Sequence, residues 1–247
     1  MHATIQKPID EIVQYIDPYE KVFVVGCYNC AWKCHSGGPD ETAAMVARLI
    51  ACGVQVVGYA TPGPQGMSLC KLDNTRKVLR EDYGEQTRHA DSFLVLACGQ
   101  GIHTVIDATD GAMVHPGCDT IFGGETVSAT EIEEFCSLCG ECVIEGTGGL
   151  CPMTLCSKQL LNGPCGGAEN GHCEVDPEKP CGWILIYERL KRLGRTHLLE
   201  PYREPKNHAK WSRPRRLQVS PEEATFISLA GKHTVNNRSG SPRRSAL

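Results

Sequence analysis

The chain has 247 residues, 41% of them hydrophobic and 22% charged, with a formal net charge of −4. Those values suit a globular chain of one or two domains that can bury a sizeable core, and they exclude a strong overall field favouring nucleic acid or an anionic membrane. There is no run of about 18 apolar residues, so no transmembrane span is expected, and the charged N-terminus "MHATIQKPIDEIVQYIDPYE" lacks the apolar core of a secretory signal, which points to the cytoplasm.

Taken in chain order, "PIDEIVQYI" (8–16) places Ile9, Ile12, Val13 and Ile16 at helical spacing behind a proline suited to a first turn. "KVFVVG" (21–26) reads as a buried strand, "PDETAAMVARLIACG" (39–53) as a helix stopped by Gly53, and "VQVVGYA" (54–60) as a second strand. A helix near 71–81, a third strand within "SFLVLACGQG" (92–101), a short helix in "IHTVIDATDG" and a candidate fourth strand in "GAMVHPGC" follow. This alternation predicts an α/β fold with a small parallel sheet of Rossmann or flavodoxin-like type. "SATEIEEFC" reads as a short helix capped by Ser128 or Thr130, and "WILIYERLKRL" (183–193) as a longer one. The expected organisation is an α/β domain over 1–125, an irregular cysteine-rich metal-binding domain over 126–200, and a basic C-terminal arm over 201–247. Of that arm, either a solvated terminus or a segment wrapping an acidic partner surface is expected.

The outlier is cysteine, with 15 residues. In a signal-free α/β chain of this size, such cysteines point to metal rather than to disulfides. Cys27 ends the first strand, Cys30 and Cys34 lie in the loop after it, Cys70 lies after the second strand, and Cys98 ends the third. In an open parallel sheet all five face the carboxyl rim, where such folds bind ligands. Four thiolates there suit a [4Fe-4S] cluster or a tetrahedral zinc, leaving one spare, and Cys118 is a weaker sixth. The Gly37-Gly38 and Gly99–Gly101 turns are expected to give backbone N–H groups to the sulfurs. Cys52, between a helix and a strand, is expected to pack as a small hydrophobe. No GxGxxG or GxxxxGK[ST] motif follows the first strand, so a dinucleotide or P-loop site is not expected.

The second set is Cys136, Cys139, Cys142, Cys151, Cys156, Cys165, Cys173 and Cys181. Cys136-x2-Cys139-x2-Cys142 matches the first three ligands of a ferredoxin-type run. The fourth ligand of such a run precedes proline. Here Cys151 precedes Pro152, but eight residues separate it from Cys142, so the fourth place stays open. Eight cysteines suffice for two four-thiolate sites, either two clusters or one cluster and one zinc. "NGPCGG" reads as tight turns around a metal rather than a phosphate loop. His35, His103 and His115 lie near the expected rim but form no paired-ligand pattern, and no Ser/His/Asp order or carboxylate pair points to hydrolysis.

The segment "CGECVIEGTGGLCPMTLCSKQLLNGPCGG…GHCEV…CGWILIYERLKRLG" resembles the cysteine-rich C-terminal domain of methylenetetrahydrofolate reductases. With "GCYNCAWKCHSGG", Cys70 and "LACGQGIHTV", residues 21–193 resemble the small iron–sulfur (MetV-type) subunits of the anaerobic enzymes. The resemblance implies a non-catalytic subunit with two or three [4Fe-4S] clusters, or zinc in place of one. It implies a TIM-barrel flavoprotein partner that holds the FAD or FMN and reduces methylenetetrahydrofolate. It also implies an electron donor such as ferredoxin, a hydrogenase or a heterodisulfide-reductase-like module, in Wood–Ljungdahl or related one-carbon metabolism. Two other readings stay open: a zinc-stapled scaffold without a redox role, and an electron-transfer module for another oxidoreductase.

Overall fold

The computed structural model describes residues 1–61 and 68–217, and Met1–Lys206 forms one compact unit. In chain order the elements are β1 (His2–Gln6), α1 (Ile9–Val13), β2 (Lys21–Gly26), α2 (Cys30–Lys33), α3 (Pro39–Ala51), β3 (Gln55–Ala60) and α4 (Leu72–Lys77). Then come α5 (Gly84–Arg88), β4 (Ser92–Leu96), α6 (Gly99–Ala108), β5 (Met113–Pro116) and β6 (Cys118–Gly123). The small hairpin strands β7 (Glu125–Thr126) and β8 (Ile132–Glu133), and helices α7 (Pro152–Leu155) and α8 (Gly182–Arg192), complete the unit.

The main sheet is parallel throughout and ordered β3-β2-β4-β5. From β2 the chain crosses outward to β3, then returns past β2 to β4. The winding direction therefore reverses between β2 and β4, and such a reversal opens a crevice at the carboxyl ends of the two strands. Both strands are apolar at nearly every position because both faces of the sheet are covered. Phe23, Val25, Phe93 and Val95 pack with Leu79 and Val105 on one face. Val22, Val24, Leu94 and Leu96 pack with Ile12, Met45 and Leu49 on the other.

Two elements differ from the sequence reading. Residues His2–Gln6 form a strand, β1, which pairs antiparallel with β6 in a separate two-stranded sheet. Only Ala3 and Thr4 of β1 are buried, so its apolar signal is too short to read. The helix expected over 128–136 is absent. Val127 and Ser128 N–H bond Glu131 O, and β7 pairs with β8. Ile132 is the half-buried apolar side chain of that stretch, so a helix there would have no face to bury.

The β1–β6 sheet braces the loop after β2. Thr4 Oγ1 lies 2.7 Å from Ser36 Oγ, Gln6 Nε2 donates to Ser36 O at 3.1 Å, and Cys27 N–H closes the loop onto Gly37 O at 2.7 Å. The cysteine-rich lobe has its own small core: Cys181, Trp183, Ile186 and Leu190 are buried against Leu150, Leu160 and Leu199, and Trp183 Nε1 donates to Leu160 O at 3.0 Å.

The arm expected from residue 201 onward separates from the fold later than that. Arg203 and Lys206 both bond groups of the cysteine-rich lobe. The second unit starts at Asn207, whose side chain caps a short 3-10 turn, His208–Trp211. The remaining arm residues, 218–247, lie outside the described residues. So does the 62–67 part of the loop after β3.

Glycines 37 and 99, both read as turn residues, are under different constraints. A Cβ on Gly37 would lie 2.0 Å from Leu96 O and 2.9 Å from Ala31 Cβ, whereas one on Gly99 would meet nothing nearer than Thr120 Oγ1 at 3.9 Å. Backbone cannot yield as a flexible side chain can. Gly37→Ala is therefore expected to cost about 2–3 kcal/mol, a fall in Tm of roughly 5–10 °C for a chain of this size. Gly99→Ala, in the first turn of α6, should leave Tm unchanged in the same melting experiment.

Candidate metal centres

The strand ends deliver the first cysteine set to the β2–β4 crevice. Gly26 and Leu96 are in register on adjacent parallel strands, so Cys27 and Cys98 emerge side by side. Cys27 is buried, and Cys30 and Cys98 lie close enough for their charges to act on it. Burial pushes the Cys27 thiol up, opposed by the backbone N–H groups of Leu69 and Asn29, with Cys30 and Cys98 adding to the rise. Leu69 is itself buried, and its neighbour Cys70 is exposed at the mouth of the loop. Cys27, Cys30 and Cys98 thus meet at one end of the switch point, and Cys70 follows the Leu69 backbone that bonds Cys27.

Cys34 lies toward the β1–β6 side of the loop, where its thiol donates to His2 O at 3.7 Å, and Cys118 lies close enough to feel both Cys34 and Cys27. Cys118 is buried and donates to Ser36 O at 3.4 Å, and burial pushes its thiol up to about 12. Cys52 corrects its expected place: α3 buries Thr42, Met45 and Leu49, but the helix ends at Ala51, and the turn at Gly53 carries Cys52 out to an exposed position.

Of the glycine turns, Gly37 N–H bonds Ala31 O and Gly99 N–H bonds Thr120 Oγ1, so those two donors are engaged away from sulfur. Other donors come from residues two positions after a cysteine. Leu138 N–H points at Cys136 Sγ at 3.4 Å, and Gly167 N–H at Cys165 Sγ at 3.5 Å. The backbone of Val175 does the same for Cys173 and that of Asn29 for Cys27. A sulfur receiving such bonds is favoured as thiolate, the form that binds metal. The backbone N–H of Val175, then Ser157 and the backbone of Asp176, hold the Cys173 thiol below its ordinary range.

In the cysteine-rich lobe four of the eight thiols share one cavity. Leu138 (φ +56°) and Gly140 (φ +81°) turn the chain sharply between Cys136 and Cys142. A leucine in the left-handed region costs about 1 kcal/mol, so the surrounding loop must enforce that turn. Thr154 Oγ1 lies 3.3 Å from both Phe135 O and Cys151 O. That hydroxyl ties the start of the Cys136 loop to Cys151, across the long gap in the sequence. Cys156, Cys165, Cys173 and Cys181 line that cavity, of about 20 Å³, together with Glu174 and Trp183.

Among the described residues, no three His, Cys, Asp or Glu side chains close on one point as a finished metal site. The thiols hydrogen-bond to neighbouring oxygens instead: Cys165 donates to Glu174 at 3.4 Å and Cys173 to Ser157 at 3.7 Å. The donor type, the four cysteines that share one cavity and the N–H groups aimed at sulfur all fit thiolate-bound metal. The three histidines near the expected rim pair with acids: His35 with Glu41, His103 with Asp107, and buried His115 with Glu20 at 2.9 Å. Residues 162–167 lie in irregular turns without a strand-to-helix setting, which leaves no phosphate loop there.

Sequence reasoning missed Lys206, read only as an arm cation. Its Nζ lies 2.8 Å from Cys139 Sγ and also donates to Glu141 O. Burial alone would raise the Cys139 thiol, but Lys206 and the backbone of Glu141 outweigh it and hold it low.

Among the described residues no helix is long and apolar enough to cross a membrane. No curated protein and no solved structure matches the chain. Residues 115–209, which run from β5 through the cysteine-rich lobe, match the family model described as methylene-tetrahydrofolate reductase C terminal, and that region is what the chain shares with the methylenetetrahydrofolate reductases.

Proposed function

We propose that this chain is the iron–sulfur electron-transfer subunit of a methylenetetrahydrofolate reductase complex. The observation that carries the reading is the repeated aiming of backbone N–H groups at cysteine sulfurs, in both the sheet crevice and the lobe that matches the reductase family. Cys27, Cys30, Cys70 and Cys98 would hold one cluster, with Cys34 the spare. Cys136, Cys139, Cys142 and Cys151 would hold a second. Bound clusters supply one-electron transfer, with potentials set by hydrogen bonds to sulfur, local charge and solvent exposure. The chain's own residues orient the thiolates, supply N–H donors and exclude water at Cys27. The flavin and the folate chemistry belong to a TIM-barrel partner subunit, fed by ferredoxin, a hydrogenase or a heterodisulfide-reductase-like donor.

A second reading applies to the remaining site. Cys156, Cys165, Cys173 and Cys181 share one cavity and lie outside the ferredoxin-type run, and four such thiolates suit a single tetrahedral zinc. That centre would be a structural staple.

Anaerobic purification of the full chain should give about eight iron and eight labile sulfide with one zinc, as two four-iron clusters and one tetrahedral zinc require. About twelve iron without zinc would replace the zinc reading with a third cluster. Zinc without iron would leave a scaffold and overturn the electron-transfer role. Cys136→Ser should remove about four iron and keep the zinc. Cys173→Ser should release zinc alone and lower Tm, since metal binding at such a site contributes to folding. Copurification with a flavoprotein of the reductase type is expected from the native source, and its absence would separate this chain from that complex.

A further inference from the structure

The segment after α8 is locked onto the cysteine-rich lobe through one side chain. Arg203 Nη2 donates to Gly146 O at 2.6 Å and Leu198 O at 3.1 Å, and Nη1 donates to Leu161 O at 3.2 Å. Its backbone exchanges two hydrogen bonds with Asn162, at 2.7 and 2.9 Å. The glycine at 146 leaves room for this, since a Cβ there would lie 2.6 Å from the guanidinium. Three residues later this fixed segment delivers Lys206, whose ammonium sits 2.8 Å from Cys139 Sγ and also bonds Glu141 O. Lysine and cysteine are both half-buried, so the interaction is screened less than on an open surface. Lys206 thus spans the Cys139-to-Cys142 turn of the ferredoxin-type run, at the middle cysteine.

We infer that Lys206 is a built-in tuning cation for the centre held by Cys136, Cys139 and Cys142, raising its reduction potential above the value that centre would have without the ammonium. The inference rests on the proposed iron–sulfur reading. Reduction adds one electron to the centre, and a fixed positive charge with an N–H···S bond at a ligand sulfur stabilises the more negative state. The ammonium is not a ligand. It acts through the Cys139 sulfur.

The test uses the full chain purified without oxygen, as wild type, Lys206→Met and Lys206→Arg, with iron and sulfide counts and an EPR-monitored redox titration. Lys206→Met should keep its iron and sulfide and move one midpoint downward by about tenfold in the reduction equilibrium, about 59 mV for one electron. The other midpoint should stay where it is, and Lys206→Arg should restore most of the shift. In a Cys136→Ser background, Lys206→Met should have no effect on the midpoint that remains. Full iron with unmoved midpoints in Lys206→Met would overturn the inference, and so would a common shift of every midpoint. Loss of iron from both Lys206 variants would make the residue a structural one and overturn it as well. A wild-type chain without iron would bring down the iron–sulfur reading itself, an outcome distinct from the others because it precedes any variant.

Discussion

The side-by-side parallel pairing of β2 and β4 is the constraint on which the rest of the α/β half depends. Val25 pairs with Val95 and Gly26 with Leu96, so the two chains leave the sheet at the same level. Because the winding reverses there, no crossover covers that rim. In nucleotide-binding sheets with such a reversal, a glycine loop and a helix N-terminus fill the space. Here the loop carries Cys27 and Cys30, and Cys98 opens the next helix. Holding so long a loop in place without a nucleotide needs another brace. The β1–β6 sheet provides it by gripping Ser36 from Thr4, Gln6 and Cys118.

The cysteine-rich lobe is organised by a different balance. Its apolar core is one face of α8, with Trp183, Ile186 and Leu190 as the large buried side chains. Each such side chain contributes about 1.5–3 kcal/mol, while a four-thiolate zinc site contributes about 10–16 kcal/mol in small peptides. On the proposed reading the larger effect would belong to the thiolates, and the local backbone is in keeping with that ranking. Turns enforced at Leu138 and Gly140, and N–H groups directed at Cys136, Cys165 and Cys173, have little value around neutral thiols. They have considerable value around charged sulfur.

What was legible in the sequence was whatever depends on periodicity. The parallel strands at 21–26 and 92–96 announce themselves through unbroken apolar runs, and α3 through its Met45 and Leu49 face. The convergence of Cys27, Cys30 and Cys98 follows from alternation alone, because every strand in such a sheet points the same way. Sequence could not place Cys34 against His2, since that depends on β1, a strand whose two buried residues are too few to form a pattern. Nor could it group the lobe cysteines. That grouping comes from long-range contacts such as Thr154 with Phe135 and the shared cavity at Cys181, which leave no trace in local spacing. Lys206 was hidden for the same reason: a lysine in a basic stretch reads as solvated until Arg203 is seen to fasten it.

The two cysteine environments differ in the charge they favour. At Cys27, burial and the nearby Cys30 and Cys98 thiols oppose added negative charge, and only backbone dipoles of Leu69 and Asn29 counter them. At Cys139, a full cation outweighs a smaller degree of burial. A fixed charge in contact acts more strongly than a peptide dipole, so on the proposed reading added negative charge would be easier to hold at the lobe than in the sheet crevice. That asymmetry arises because one segment, locked by Arg203, folds back across the turn between Cys139 and Cys142. The sheet crevice lies among the carboxyl ends of apolar strands, where burial dominates. On the proposed reading, the same type of centre in the two places would differ in potential because of the fold that surrounds each one.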